Sequence, residues 1–170
     1  MEAQTSTKPT AEKELFIKMV ISNWELQNAR VNKLISKLTD EELATPTAPG
    51  RNNGVWVLGH LIAVNDGMIP LLGLGEKLFP ELEAPFVGEA NKPGVATPPI
   101  ATLKESWAQL NAKLTQYFTE LPAEEWFTRH NSISPGDFAK EPHRNKLNIL
   151  INRTNHQSYH LGQLIYLDKK

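Results

Sequence analysis

A four-helix bundle of the all-α class is predicted for this 170-residue chain by two features of its apolar residues. Four long segments repeat them with helical periodicity, and no segment alternates cleanly with the period of two that a half-buried strand requires. Residues 73–98 and 128–146 lack that periodicity and are read as long connections. With 40% hydrophobic and 22% charged residues the composition is that of a globular protein. A chain of this length buries roughly 70% of the surface it exposes when unfolded, enough for one core. One domain over residues 1–170 is expected, with 1–9 a flexible tail.

The first helix is expected over Ala11–Leu38, after a start signal at Pro9-Thr10. Ile17, Val20, Trp24, Val31, Ile35 and Leu38 form one stripe, while Glu14, Lys18, Glu25, Arg30, Lys33 and Lys37 fall opposite. Thr39 and Glu42 have capping-box spacing for a short helical turn, Asp40–Leu43. A loop rich in Pro, Gly and Asn leads to the second helix, Val55–Leu72. Apart from Asp66 it carries no charge, so it should be covered on most sides. Thr97 before Pro98-Pro99 marks the start of the third helix. Its stripe, Leu103, Trp107, Leu110, Leu114, Tyr117 and Leu121, recurs at alternating spacings of four and three. Pro122 then opens another short turn. The fourth helix, Leu147–Asp168, has two coherent faces. Leu147, Leu150, Ile151, Thr154, Ser158, Leu161 and Ile165 lie on one, and Ile149, Arg153, His156, His160, Gln163 and Leu167 on the other. Burial on both sides is expected, by bundle partners and by a second subunit.

Charge and cysteine content exclude whole classes of function. The net charge of −1 offers no basic excess to neutralise phosphates, so nucleic acid is not an expected partner. The absence of cysteine removes disulfides, thiolate zinc sites, Fe–S clusters and a cysteine nucleophile. The N-terminal residues include no apolar signal region, and a cytoplasmic location is expected. The apolar stretch from Gly54 to Gly75 contains His60, Asn65 and Asp66, each costly in hydrocarbon, so no membrane span is expected.

Candidate chemistry centres on histidine. His156 and His160, four apart on one helix, stack with Cβ atoms roughly 5–6 Å apart, the spacing at which a helix offers two imidazoles to one ion. The segment lacks the glutamate of an HExxH site, and two hydrogen-bonded core histidines would share the same pattern. His60, in the charge-poor second helix, needs a partner for its ring nitrogens, and the fourth helix is the natural place for one. Three imidazoles make most of a tetrahedral site or one face of an octahedron, with a position left for water or substrate. Such donors suit zinc, nickel, copper and iron alike. His130 and His143, among charged loop residues, are expected at the solvated surface. The alternative is a loop folded over the mouth of the site, bringing Glu141 or His143 near it.

Gly59-His60-Leu61, together with His156-Gln157-Ser158-Tyr159-His160-Leu161-Gly162-Gln163, resembles the DinB-like superfamily, also described as YfiT-like metal-dependent hydrolases. The resemblance covers nearly the whole chain. It implies a bundle of up-up-down-down topology with long connections, frequent homodimers, and His60, His156 and His160 as ligands of zinc or nickel. It matches Gly162 to a small residue that lets helices approach, and places Gln163 one turn beyond His160 on the metal face. Some relatives are thiol transferases using mycothiol, bacillithiol or glutathione, and one branch isomerises maleylpyruvate.

Three neutral imidazoles leave a divalent ion its full charge, able to lower the pKa of a bound water or to hold a thiolate deprotonated. Hydrolysis usually needs a separate base, and no carboxylate shares the histidine face of the fourth helix. Asp66 lies about 120° round its helix from His60. The balance favours transfer of a low-molecular-weight thiol to a small-molecule substrate over hydrolysis, with a non-catalytic metal-binding dimer as the third reading. Arg153, one turn before His156, either anchors an anionic group or pairs with a rim carboxylate. Trp56, one turn before His60, either walls the pocket or belongs to the core.

Overall fold

The computed structural model describes residues 8–88 and 95–169 of the chain. Eight α-helices and three short 3-10 turns make up its secondary structure, and no β-strand occurs among the described residues. Two isolated bridges, Pro46 with Asn53 and Arg129 with Asn145, pin the loops.

Helix α1, Lys8–Lys37, begins three residues before the expected start, with Pro9 in a first turn that has no use for its missing N–H. The rest of the expected tail, residues 1–7, lies outside the described residues. Trp24, Val31, Ile35 and Leu38 are buried along α1 as the stripe requires, while Val20 is only half-buried. Helix α2, Asp40–Ala44, has the full capping box: Thr39 N–H donates to Glu42 Oε2 at 2.8 Å, and Glu42 N–H to Thr39 Oγ1 at 3.1 Å.

The second long segment is divided. Helix α3, Gly54–Asp66, is capped by Asn53, whose Oδ1 accepts the Trp56 N–H at 2.8 Å. Gly67 separates it from α4, Met68–Leu71. The break has a local cause in Pro70, which lacks an N–H and whose ring crowds the carbonyl four residues back. Asp66, at the end of α3, is buried and accepts the N–H groups of Leu78 and Phe79 at 2.8 and 2.9 Å, tying the following connection to the core. That connection is more regular than expected. It holds a 3-10 turn, Pro80–Leu82, and α5, Glu83–Phe86.

Helix α6, Ile100–Glu120, starts after Pro99 rather than at Thr97 and has no side-chain cap. Phe118, not Tyr117, continues its buried stripe of Leu103, Trp107, Leu110 and Leu114. After the 3-10 turn Ala123–Phe127, the second connection carries α7, Pro135–Lys140, where none was expected. Helix α8, Lys146–Leu164, then runs into a 3-10 turn, Ile165–Leu167. Its buried face is Leu147, Leu150, Thr154, Gln157, His160 and Leu164. Ile165, assigned to the inner stripe by periodicity, is exposed, and Asn152, Asn155, Tyr159, Gly162 and Tyr166 leave one side of the helix uncovered.

The long helices pack so that α1 lies against α8 and α6, and α3 against α6 and α8. The larger of two core clusters is centred on Trp24, Leu58, Leu61, Ile62, Trp107, Phe118 and Trp126, and a smaller one joins Leu34, Leu38, Leu43, Val57, Leu164 and Leu167. The 18-residue stretch Gly54–Leu71 has a mean hydropathy of 1.3, but 61% of it is buried inside the protein, which makes it a core element. A chain of amides crosses the interior. Asn65 Nδ2 of α3 donates to Gln157 Oε1 of α8 at 3.0 Å, and Gln157 Nε2 donates to Asn28 Oδ1 of α1 at 2.6 Å. Such buried amides are costly unless satisfied, so they fix the register of α8 against both neighbours.

Candidate metal centre

Helices α3 and α8 bring His60, His156 and His160 together. Their ring centroids lie 4.5 to 5.1 Å apart. The Nε2 of His156 is 3.2 Å from that of His60 and 3.1 Å from that of His160. One ligand atom from each residue falls within 4.8 Å of the others, a set able to hold a metal ion. Tetrahedral zinc with Zn–N near 2.0–2.1 Å separates its nitrogens by about 3.3 Å, a spacing that the His60–His156 and His156–His160 pairs already approach.

Hydrogen bonding on the far side of each ring decides what these nitrogens present. His60 Nδ1 lies 2.7 Å from the carbonyl oxygen of Phe86, and His160 Nδ1 lies 2.7 Å from Gln163 Oε1. Both partners accept only, so each Nδ1 donates a proton, and in the neutral rings both Nε2 atoms carry lone pairs. These lone pairs converge on His156 Nε2, which has at most one proton to share between them. A cation among three such nitrogens resolves the crowding, and carbonyl or amide support behind a histidine is the arrangement that orients metal ligands. Gln163 is held in turn, its Nε2 donating to the Tyr159 hydroxyl at 3.2 Å. His156 Nδ1 is buried without a hydrogen-bond partner among the described residues.

Burial keeps all three rings neutral. It pulls His156 down to about 4, helped by the neighbouring His160, His60 and Arg153. Desolvation also lowers His60 and His160, against the opposing hydrogen bonds from Phe86 and Gln163. Neutral imidazole is the form that binds metal, so the donors need no deprotonation at neutral pH.

The approach of α5 to α3 depends on Gly59. A Cβ there would stand 2.5 Å from ring atoms of Phe86. The missing side chain lets Phe86 lie flat against α3, which carries its carbonyl to His60. Trp56, half-buried, stacks on His60 with centroids 4.8 Å apart and planes 11° from parallel. With Phe86, Asn53, Pro85 and Thr97 it also lines a cleft of about 80 Å³. Arg153, on the turn before His156, is close enough for its charge to lower both His60 and His156.

Other sequence expectations are corrected. His130 is buried rather than solvated, 5% exposed, and its Nδ1 accepts from Ser132. Desolvation lowers its pKa, as do Arg144 and Arg129. Its loop is clamped to α4, because Asn131 donates to the carbonyls of Leu71 and Pro70. His143 is exposed, and Glu141 turns to Arg144 at 3.0 Å. Both precede the start of α8, which is about 15 Å along its axis from His156. Gly162 is exposed with open space where a Cβ would stand, so no helix approaches it within the described chain. Reading the sequence missed Phe86, whose contribution is a backbone carbonyl and leaves no signature. It also missed Gln157, which an uncharged amide on the inner face of α8 could have signalled.

Residues 23–164 match the sequence model of the DinB superfamily. No curated protein matches the chain.

Proposed function

The chain belongs to the DinB superfamily, and from that membership we propose that it is a metal-dependent enzyme transferring a low-molecular-weight thiol to a small electrophile. The observation that carries this reading is the pair of outward-facing hydrogen bonds, His60 to Phe86 and His160 to Gln163, which leaves lone pairs converging beside His156. Zinc or nickel is the proposed ion. When bound, it supplies Lewis acidity that lowers the pKa of a thiol or water placed on it.

The surroundings of the site support thiol transfer over hydrolysis. The two carboxylates that the sequence offers as a base are committed elsewhere, Asp66 to the N–H groups of Leu78 and Phe79, and Glu141 to Arg144. A thiolate needs no further base. The thiol proton passes to water, sulfur forms a bond to the electrophilic carbon, and the leaving group departs with its electron pair. Trp56 walls one side and excludes water from the ring of His60.

The resemblance to the family extends the proposal to an up-up-down-down bundle acting in the cytoplasm as a homodimer. An uncharged groove between α1 and α8, lined by Phe16, Met19, Val20, Asn23 and Ile151, supports that pairing. Phe16 and Met19 are 47% and 60% exposed, and Tyr159 and Tyr166 continue the apolar surface along α8.

The deciding experiment is the metal content of protein purified without a histidine tag, alongside His156→Ala. We expect one zinc or nickel per chain, lost in the variant, followed by turnover when thiols are paired with electrophiles. No uptake even after incubation with both metals would make the histidines a hydrogen-bonded core cluster. Ester or amide turnover without any thiol would make the protein a hydrolase.

A further inference from the structure

We propose that Arg153 is a carboxylate-binding residue, holding one end of a small organic acid whose other end reaches the three-histidine centre. This deepens the reading above by naming the substrate class, and it rests on that reading for the metal-directed end alone.

Arg153 is half-buried and has neither a hydrogen bond nor an ion pair among the described residues. An arginine stays charged in a protein, and an unpaired charge withdrawn from water is costly. No carboxylate pairs with it among the described residues. Asp66 is occupied by backbone donors, and Glu141, Glu83 and Asp168 pair with Arg144, Lys77 and Lys37. Arg153 lies one turn before His156 on the same face of α8, and a divalent ion held by the histidines would add to the positive potential there. The site therefore calls for an anion.

One cation sets the charge of that anion. Arg153 is the cation one turn from His156 on this face of α8. It lies two turns inside α8, beyond reach of the partial charge at the helix N-terminus. One planar fork with no helix terminus behind it matches a carboxylate better than a dianionic phosphate. Positions 153 and 156 differ by a rise of about 4.5 Å, a span that suits a donor atom two or three bonds from the carboxylate.

The test uses cobalt(II)-loaded protein and two matched probe pairs, 3-mercaptopropionate with 3-mercaptopropan-1-ol, and succinate with its diamide. Binding is read from the cobalt visible spectrum, from sulfur-to-cobalt absorption for the thiols, and from the melting temperature. The charged member of each pair should bind at least about tenfold more tightly. Arg153→Gln should bring the members of each pair within about twofold while leaving the neutral probe and cobalt uptake unchanged. Without ligand, Arg153→Gln should melt no lower than wild type, because it removes an unpaired charge. Arg153→Lys, which keeps the charge but loses the fork, should give an intermediate ratio and stands in if the first variant does not fold. A ratio near one in wild type, or one that survives Arg153→Gln, overturns the proposal, as does inorganic phosphate binding more tightly than succinate. If neither thiol gives sulfur-to-cobalt absorption, the thiol reading falls, while the succinate pair still decides Arg153.

Discussion

At the scale of single residues, the groups behind the histidines decide as much as the histidines. Gln163 holds His160 in the tautomer that presents Nε2, and among the described residues no other group bonds its Nδ1. Gln163→Leu should weaken zinc binding by about 10–100-fold while helix content is unchanged, as competition with a chromophoric chelator would measure. Unaltered affinity would show that the ring orients itself. The depressed histidines also set a pH dependence for the metal-free protein. Above pH 6.5 His156 is neutral whether folded or unfolded, and no proton is linked to folding. Between there and about 4 the unfolded chain takes up a proton that the folded ring refuses, so stability is lost as pH falls through that window. His60, His160 and His130 shift the same way and add to the slope. Thermal melts at pH 7.5 and 4.5 should show a larger drop in wild type than in His156→Gln; equal drops would place the acid sensitivity elsewhere.

At the scale of elements, the centre depends on how α5 is laid against α3. Gly59 removes the one Cβ that would hold Phe86 away, so packing at position 59 is transmitted to the hydrogen bond on His60. Gly59→Ala should therefore cost about 1–3 kcal/mol by overpacking. It should also weaken metal binding, because the Phe86 carbonyl moves with its ring. Denaturant melts of the metal-free protein and a zinc titration separate the two effects, and normal affinity in a destabilised variant would refute the coupling. The break at Gly67 acts at the same scale. It ends α3 at Asp66, whose carboxylate draws in the backbone at Leu78 and Phe79, and the chain returns through α5 to the site.

The whole molecule supplies a frame that stands without the ion. Trp24, Trp107, Trp126, Phe118 and the leucines of α3 and α6 form a continuous core that does not depend on the ion for its packing. The Asn65–Gln157–Asn28 chain fixes α8 from inside. Helical circular dichroism should survive chelation, with the melting temperature lowered only as loss of a bound ligand requires. Collapse on chelation would reassign the metal to a structural role. Sedimentation should find a homodimer that Met19→Glu dissociates, and a monomeric wild type would leave the α1–α8 groove without that partner.

Helical class, the order of the long helices and the pairing of His156 with His160 are legible in the sequence, because each rests on local geometry. A helix repeats every 3.6 residues, so residues four apart meet whatever the rest of the chain does. The charge-poor second helix, and then the family pattern, point to His60, although spacing alone cannot bring a residue 96 positions away within 3.2 Å of His156. Contacts across the chain could be decided only by tertiary packing. Phe86 reaches His60 from 26 residues away through a carbonyl that any residue could supply. His130 is buried because Asn131 clamps its loop to α4, although its neighbours in sequence are charged and polar. Arg153 is half-buried without a carboxylate partner among the described residues, which its position on the helix does not foretell. Periodicity records which face of a helix is apolar, whereas burial, tautomer and pairing depend on what packs against that face.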